Sequence, residues 1–117
     1  MAKQIFADLY GCNVKILNSQ EEIKRIAAKA IHEIGAEIVD ECVHKFEPIG
    51  ITYFAVITTS HFSVHTWPEY GYAAVDVFSC GDEVTESIVK LLKEEFEAKE
   101  VKIGNCERVI GKGLKEG

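Results

Sequence analysis

Apolar positions along this chain recur at two different periods, and the changes between them predict its elements. From Lys3 to Tyr10 the pattern alternates, with Ile5, Ala7 and Leu9 on one side and Phe6, Asp8 and Tyr10 on the other, as on a strand. Gly11-Cys12-Asn13 interrupts it. From Ser19 the period becomes helical: Ile23, Ile26, Ala27, Ala30, Ile31 and Ile34 fall on one stripe, Ser19 and Glu22 form a capping box, and Gly35 supplies the stop. His32 lies off that stripe, facing solvent.

Ala36 to Phe46 returns to alternation, with Ile38, Cys42, His44 and Phe46 in phase, and Pro48-Ile49-Gly50 turns the chain. Ile51 to Ile57 is apolar on both sides, as a centrally placed, doubly covered strand would be. Tyr72 to Cys80 forms a further strand. Asp82 is the expected N-cap of a second helix, whose stripe is Val84, Ile88, Leu91, Leu92 and Phe96. Val101 to Ile110 closes the pattern, and Gly111 to Gly117 is expected to fray.

The resulting order, βαβββαβ, predicts one α+β domain over residues 1–117: a two-layer sandwich of an antiparallel sheet with two helices on one face. The second sheet face then lacks a cover. Tyr10, Phe46, Tyr53, Tyr72 and Phe78 are candidates to line it, and a sheet-to-sheet αββα homodimer would cover that patch.

Composition narrows the class. With 47% apolar and 27% charged residues the chain reads as globular, and no run approaches the roughly 18 apolar residues of a membrane span. No secretory h-region is visible near the N-terminus, so a cytoplasmic protein without membrane partners is expected. A net charge of −6 offers no basic stripe for nucleic acid. The four cysteines, Cys12, Cys42, Cys80 and Cys106, contain no CxxC pair, which argues against a disulfide framework and a closed zinc site.

Candidate chemistry concentrates in Thr58–Tyr72, which holds two of the four histidines, the single tryptophan and a run of hydroxyls. A connection serving only to turn the chain needs fewer and different residues. With strand structure running from Ile51 through Thr66 and a loop at Trp67–Gly71, Ser60 would oppose Phe78 and Cys80 would oppose Thr58. Cys80 then lies diagonally from Ser60, roughly 5–8 Å away. His65 has the opposite parity and would need a bulge to join them. His61 and His65 could in principle ligate a metal from a helix, but Val64, Thr66 and Pro68 disfavour one, no third ligand stands out, and no metal is expected. A Ser–His or Cys–His nucleophile and a plain hairpin with hydrogen-bonded histidines both remain open on these residues alone.

Ser60-His61-Phe62-Ser63-Val64-His65-Thr66-Trp67-Pro68-Glu69-Tyr70-Gly71-Tyr72-Ala73-Ala74-Val75-Asp76-Val77-Phe78-Ser79-Cys80-Gly81 resembles the processing segment of the prokaryotic short-form S-adenosylmethionine decarboxylase family. Ala7-Asp8-Leu9-Tyr10-Gly11-Cys12, Phe46-x-Pro48-x-Gly50 and Cys106-Glu107-Arg108 extend the likeness along the chain. The resemblance implies self-cleavage between Thr59 and Ser60, giving chains 1–59 and 60–117, with Ser60 becoming a covalent pyruvoyl cofactor. It implies that His65 and Thr52 serve the processing reaction and that Cys80 is the catalytic proton donor. Glu69 would bind ribose hydroxyls, Phe46 would stack on adenine, and Asp8 would lie near the site. The implied substrate is S-adenosylmethionine and the implied assembly a homodimer. Departures from the family pattern stand at Thr59, where glutamate is usual, and at Gln4 and Cys106, where histidine is common. They keep two alternatives in view: an uncleaved homologue that binds a nucleoside or amine or regulates a paralogue, and a pyruvoyl arginine or ornithine decarboxylase.

Overall fold

The structure is a computed structural model that describes residues 2–80, 86–109 and 111. In chain order its elements are β1 (Ala2–Tyr10), α1 (Val14–Leu17), α2 (Gln20–Glu33), β2 (Ile38–Lys45), β3 (Ile51–Ile57), β4 (Ser60–Trp67), β5 (Tyr72–Ser79), α3 (Glu86–Glu95) and β6 (Glu100–Arg108), with a 3-10 turn at Pro68–Tyr70. The strands form one six-stranded sheet in the order β2-β3-β4-β5-β1-β6. Every neighbouring pair is antiparallel.

The expected capping box holds the start of α2: the Ser19 hydroxyl accepts from the Glu22 amide at 3.2 Å. Gly35 ends the helix in the left-handed region, at φ 72°, donating its amide to the His32 carbonyl. Ile23, Ile26, Ala27, Ala30 and Ile31 bury their stripe on one sheet face, beside Ile88, Val89, Leu92 and Phe96 from α3 and the residue following it. The sheet meets them with Ala7 and Leu9 of β1, Tyr53 and Ala55 of β3, Phe62 and Val64 of β4, and Val75 and Val77 of β5. Apolar burial against water is the main force holding the two layers together.

The opposite sheet face is uncovered in a single chain. Phe6, Phe54, Val56 and Trp67 are 39–44% exposed on it. The ring of His61 lies between those of Phe54 and Phe78, at centroid distances of 5.4 and 5.6 Å. Tyr10 and Tyr72 belong to this face as expected, whereas Tyr53 does not. It points into the core, fully buried, and its phenol donates to Glu41 at 2.5 Å.

Four further differences separate the fold from the sequence reading. A short helix, α1, follows the first strand, capped by the Asn13 side chain. The expected continuous strand from Ile51 through Thr66 reverses at Thr58-Thr59, so β3 and β4 pair with each other as a hairpin. The β4–β5 register is then one residue from the expected one: Ser60 opposes Ser79, and Thr66 opposes Ala73. The second strand begins at Ile38, where an irregularity between Ile38 and Asp40 shifts its register. The expected N-cap Asp82, the stripe residue Val84, the strand end Ile110 and the tail from 112 lie outside the described residues. No described helix is long and apolar enough to cross a membrane.

Candidate active site

The expected site residues gather at the two ends of β4. At its start, only Thr58 and Thr59 separate β3 from β4, and the neighbouring strands hold both. The Thr58 amide donates to the Glu37 carbonyl at 2.9 Å, and the Thr58 hydroxyl accepts from the Glu37 amide at 3.1 Å. On the other side, the Cys80 amide donates to the Thr59 carbonyl at 2.9 Å. Cys80, an exposed free thiol, therefore stands opposite Thr59. The sequence brought Cys80 to this place, but by way of Thr58 and a register that the turn displaces.

Backbone strain sits on the same peptide. Ser60 has φ 152°, a region that side-chain-bearing residues rarely enter; with Glu97 it is one of two described non-glycine residues at positive φ. The Thr59 hydroxyl is buried and, among the described residues, has no hydrogen-bond partner. A serine hydroxyl can reach the carbonyl of the preceding residue through a five-membered ring. An N–H aimed at that carbonyl favours the negative charge that attack would create. The Thr59–Ser60 bond thus combines a nucleophile, a polarised carbonyl and a strained backbone.

At the far end of β4, Thr52 and His65 are cross-strand partners, and Thr52 Oγ1 lies 3.0 Å from His65 Nδ1. They line an open cavity of about 350 Å³ together with Phe46, Trp67, Glu69 and the Ile49-Gly50 turn. The His44 ring meets Phe46 edge-on at 4.5 Å, and Trp67 contacts both His65 and Tyr72. Asp8 is joined to this end by Tyr72, whose phenol donates to the carboxylate at 2.6 Å. Burial, and then the neighbouring Asp8 charge, hold the Tyr72 phenol well above the usual tyrosine range, so it stays a donor.

Thr66 carries the floor of this cavity and was not singled out by sequence. Its hydroxyl accepts from the Ile51 amide at 2.9 Å and donates to the Leu17 carbonyl at 2.8 Å, tying the end of α1 to the start of β3. A hydroxyl at a core-facing position of the strand was the available signal. Trp67 also forms part of the cavity wall.

One chain does not bring the two groups together. Ser60 and His65 are five positions apart on one regular strand, about 16 Å along it. No bulge interrupts β4 between them, so the opposed parity noted in the sequence persists. His61 and His65 share the uncovered face, well separated along the strand rather than one above the other on a helix.

Known proteins agree on the lineage of this arrangement. The model of the S-adenosylmethionine decarboxylase family matches residues 3–109. The S-adenosylmethionine decarboxylase proenzyme of Moorella thermoacetica is 44% identical over 111 residues, covering 94% of this chain and 89% of that one. The proenzyme of Pelotomaculum thermopropionicum is 45% identical over 112 residues, covering 94% and 88%. The crystal structure of the adenosylmethionine decarboxylase from Aquifex aeolicus superposes with a TM-score of 0.85 at 30% identity, covering 94% of this chain and 92% of that one.

Proposed function

Because this chain belongs to the S-adenosylmethionine decarboxylase family, we propose that it cleaves itself between Thr59 and Ser60 and then decarboxylates S-adenosylmethionine. The observation that carries this reading is the Thr59–Ser60 peptide itself, with its strained serine and its carbonyl held by the Cys80 amide.

The chemistry is the one that membership of this family implies. As the Ser60 Oγ bonds to the Thr59 carbonyl carbon, the C–N bond breaks and the hydroxyl proton passes to the freed amine. Removal of the Ser60 α-proton expels the Thr59 carboxylate from the resulting ester. Water then replaces the nitrogen, which leaves as ammonia, and position 60 becomes a pyruvoyl group. That group supplies a ketone able to condense with a substrate amine and draw electrons as carbon dioxide departs. Cys80 returns a proton to the substrate carbon in this reading, which its amide's bond to the Thr59 carbonyl supports.

The His65 end completes the site from a second copy. A two-fold axis between uncovered faces, perpendicular to β4, sets the Ser60 end of one chain against the His65 end of the other and makes two equivalent sites. His65, oriented by Thr52, then acts on the Ser60 α-proton. Phe46 and Trp67 offer aromatic faces to a purine and to the sulfonium cation, and Glu69 offers a carboxylate to ribose hydroxyls. Asp8, fixed by Tyr72, adds negative charge beside a cationic substrate. The dimer covers the apolar face, and the cytoplasm is the expected compartment.

Intact-mass analysis of the purified chain is the test. Two fragments, residues 1–59 and a pyruvoyl-blocked 60–117, are expected, with carbon dioxide released from S-adenosylmethionine. An uncut chain of the full 13.0 kDa after prolonged incubation would favour the uncleaved homologue instead. Release from arginine or ornithine alone would move the reading to those substrates.

A further inference from the structure

The strain at Ser60 needs a cause. A two-residue connection between antiparallel strands is usually built from glycine or asparagine, which accept positive φ at little cost. Here the connection is Thr58-Thr59, both β-branched, and the positive φ falls one residue later, on Ser60, where β4 starts. A free turn of this kind would relax by fraying its first strand residue. This one is tied down on both flanks, because Thr58 prolongs the β2–β3 ladder through two hydrogen bonds to Glu37, and Thr59 prolongs the β4–β5 ladder through its bond from Cys80.

We propose that Thr58 is a positioning residue for self-cleavage: its amide and hydroxyl, both tied to the backbone of Glu37, force a glycine-like conformation on Ser60 across the bond to be broken. This rests on the self-cleavage reading above. The strain raises the energy of the intact peptide, and breaking the Thr59 C–N bond releases it. Thr58 touches neither substrate nor reacting atoms. Its contribution is confined to the uncut chain, so decarboxylation per mature site does not depend on it.

The test has two arms. In the first, thermal unfolding compares Ser60→Ala with Ser60→Gly, neither of which can cleave. On an ordinary strand alanine is the more stable of the two. Here glycine is expected to melt higher, and the difference is expected to vanish or reverse when Thr58→Val is added. Alanine melting higher with Thr58 in place overturns the strain, and a glycine advantage undiminished by Thr58→Val overturns the part given to Thr58. In the second arm, cleavage is followed on denaturing gels. Thr58→Ser keeps the hydroxyl and is expected to cleave at nearly the parent rate, whereas Thr58→Val should be at least about tenfold slower, since small misplacements cost large factors in rate. Thr58→Ala repeats the deletion where valine disturbs folding. Cleavage at the parent rate in both deletions overturns the proposal. A parent chain that never cleaves overturns the functional reading, and the melting arm then still decides whether Thr58 strains Ser60.

Discussion

Ser60 and His65 stand at opposite ends of one uninterrupted strand, about 16 Å apart, so neither can act on the other within a chain. In the proposed two-fold pairing of uncovered faces, each meets the other's counterpart in the second chain. Co-expression of Ser60→Ala with His65→Ala chains should therefore restore what each lacks alone. The His65→Ala chain is expected to be cut in mixed dimers, which retain one complete site out of two. Activity of about one quarter of the parent follows from random pairing of isologous subunits. A mixture in which no His65→Ala chain is cut would place both residues in one subunit.

The uncovered face proposed for this pairing is apolar, with Phe54 stacked on His61 near its centre. Phe54→Lys puts a charge there that the single chain tolerates in water and a second sheet does not. The variant should sediment as a monomer with its fold intact, and cleavage should be lost with the dimer. A dimeric Phe54→Lys protein would place the contact elsewhere.

Thr59 carries a buried hydroxyl with no partner among the described residues. In the uncleavable Ser60→Ala background, Thr59→Val keeps the branched shape and removes that group. Unfolding should shift in favour of the variant by about 1 kcal/mol, the usual cost of burying an unsatisfied polar atom. A loss of stability would show that the hydroxyl is paired after all.

Thr66 is the opposite case, a buried hydroxyl fully used by Ile51 and Leu17. Thr66→Val should destabilise by about 1–3 kcal/mol in denaturant unfolding, because it orphans an amide and a carbonyl together. It should also weaken substrate binding, since the cavity containing His65 and Trp67 is built on that junction.

Alkaline sensitivity follows from three raised groups. Burial pushes the Cys12 thiol up from 9.0 to about 11. Burial, with Glu41 second, raises Tyr53, and burial, with Asp8 second, raises Tyr72. Each stays protonated in the fold where the unfolded chain has begun to ionise. Their stability is fully present below pH 9 and is lost as pH rises, first between 9 and 11 through Cys12 and from 10 upward through the tyrosines. The melting temperature should fall across that window, and Cys12→Ala should flatten its first part.

How far the sequence reached depended on how local each signal was. α2 was readable because its cap, stripe and glycine stop lie within one continuous stretch. α1 spans only Val14–Leu17, too short for a period to show. The β3–β4 reversal was hidden because Thr58-Thr59 lacks the glycine or asparagine that advertises a tight turn; ladder bonds to Glu37 and Cys80 hold it instead, and those come from distant parts of the chain. The pairing of Thr52 with His65 was reached through family resemblance, and its 3.0 Å contact is a product of the register that this reversal sets. The parity clash between Ser60 and His65 was visible from the start. A bulge was the remedy available to one chain; the strand is regular, and the proposed remedy is a second chain.

Placing the proposed cut between Thr59 and Ser60, where the turn meets β4, has a consequence for the life of the molecule. Before cleavage, β3 and β4 find each other as neighbours in one chain. Afterwards the same ladder joins two separate polypeptides, and a heated sample must reassemble them by collision. Refolding then depends on concentration, and the cofactor end cannot be remade once lost. Persistence of the mature protein is accordingly governed by how slowly the sheet opens rather than by how readily it could close again.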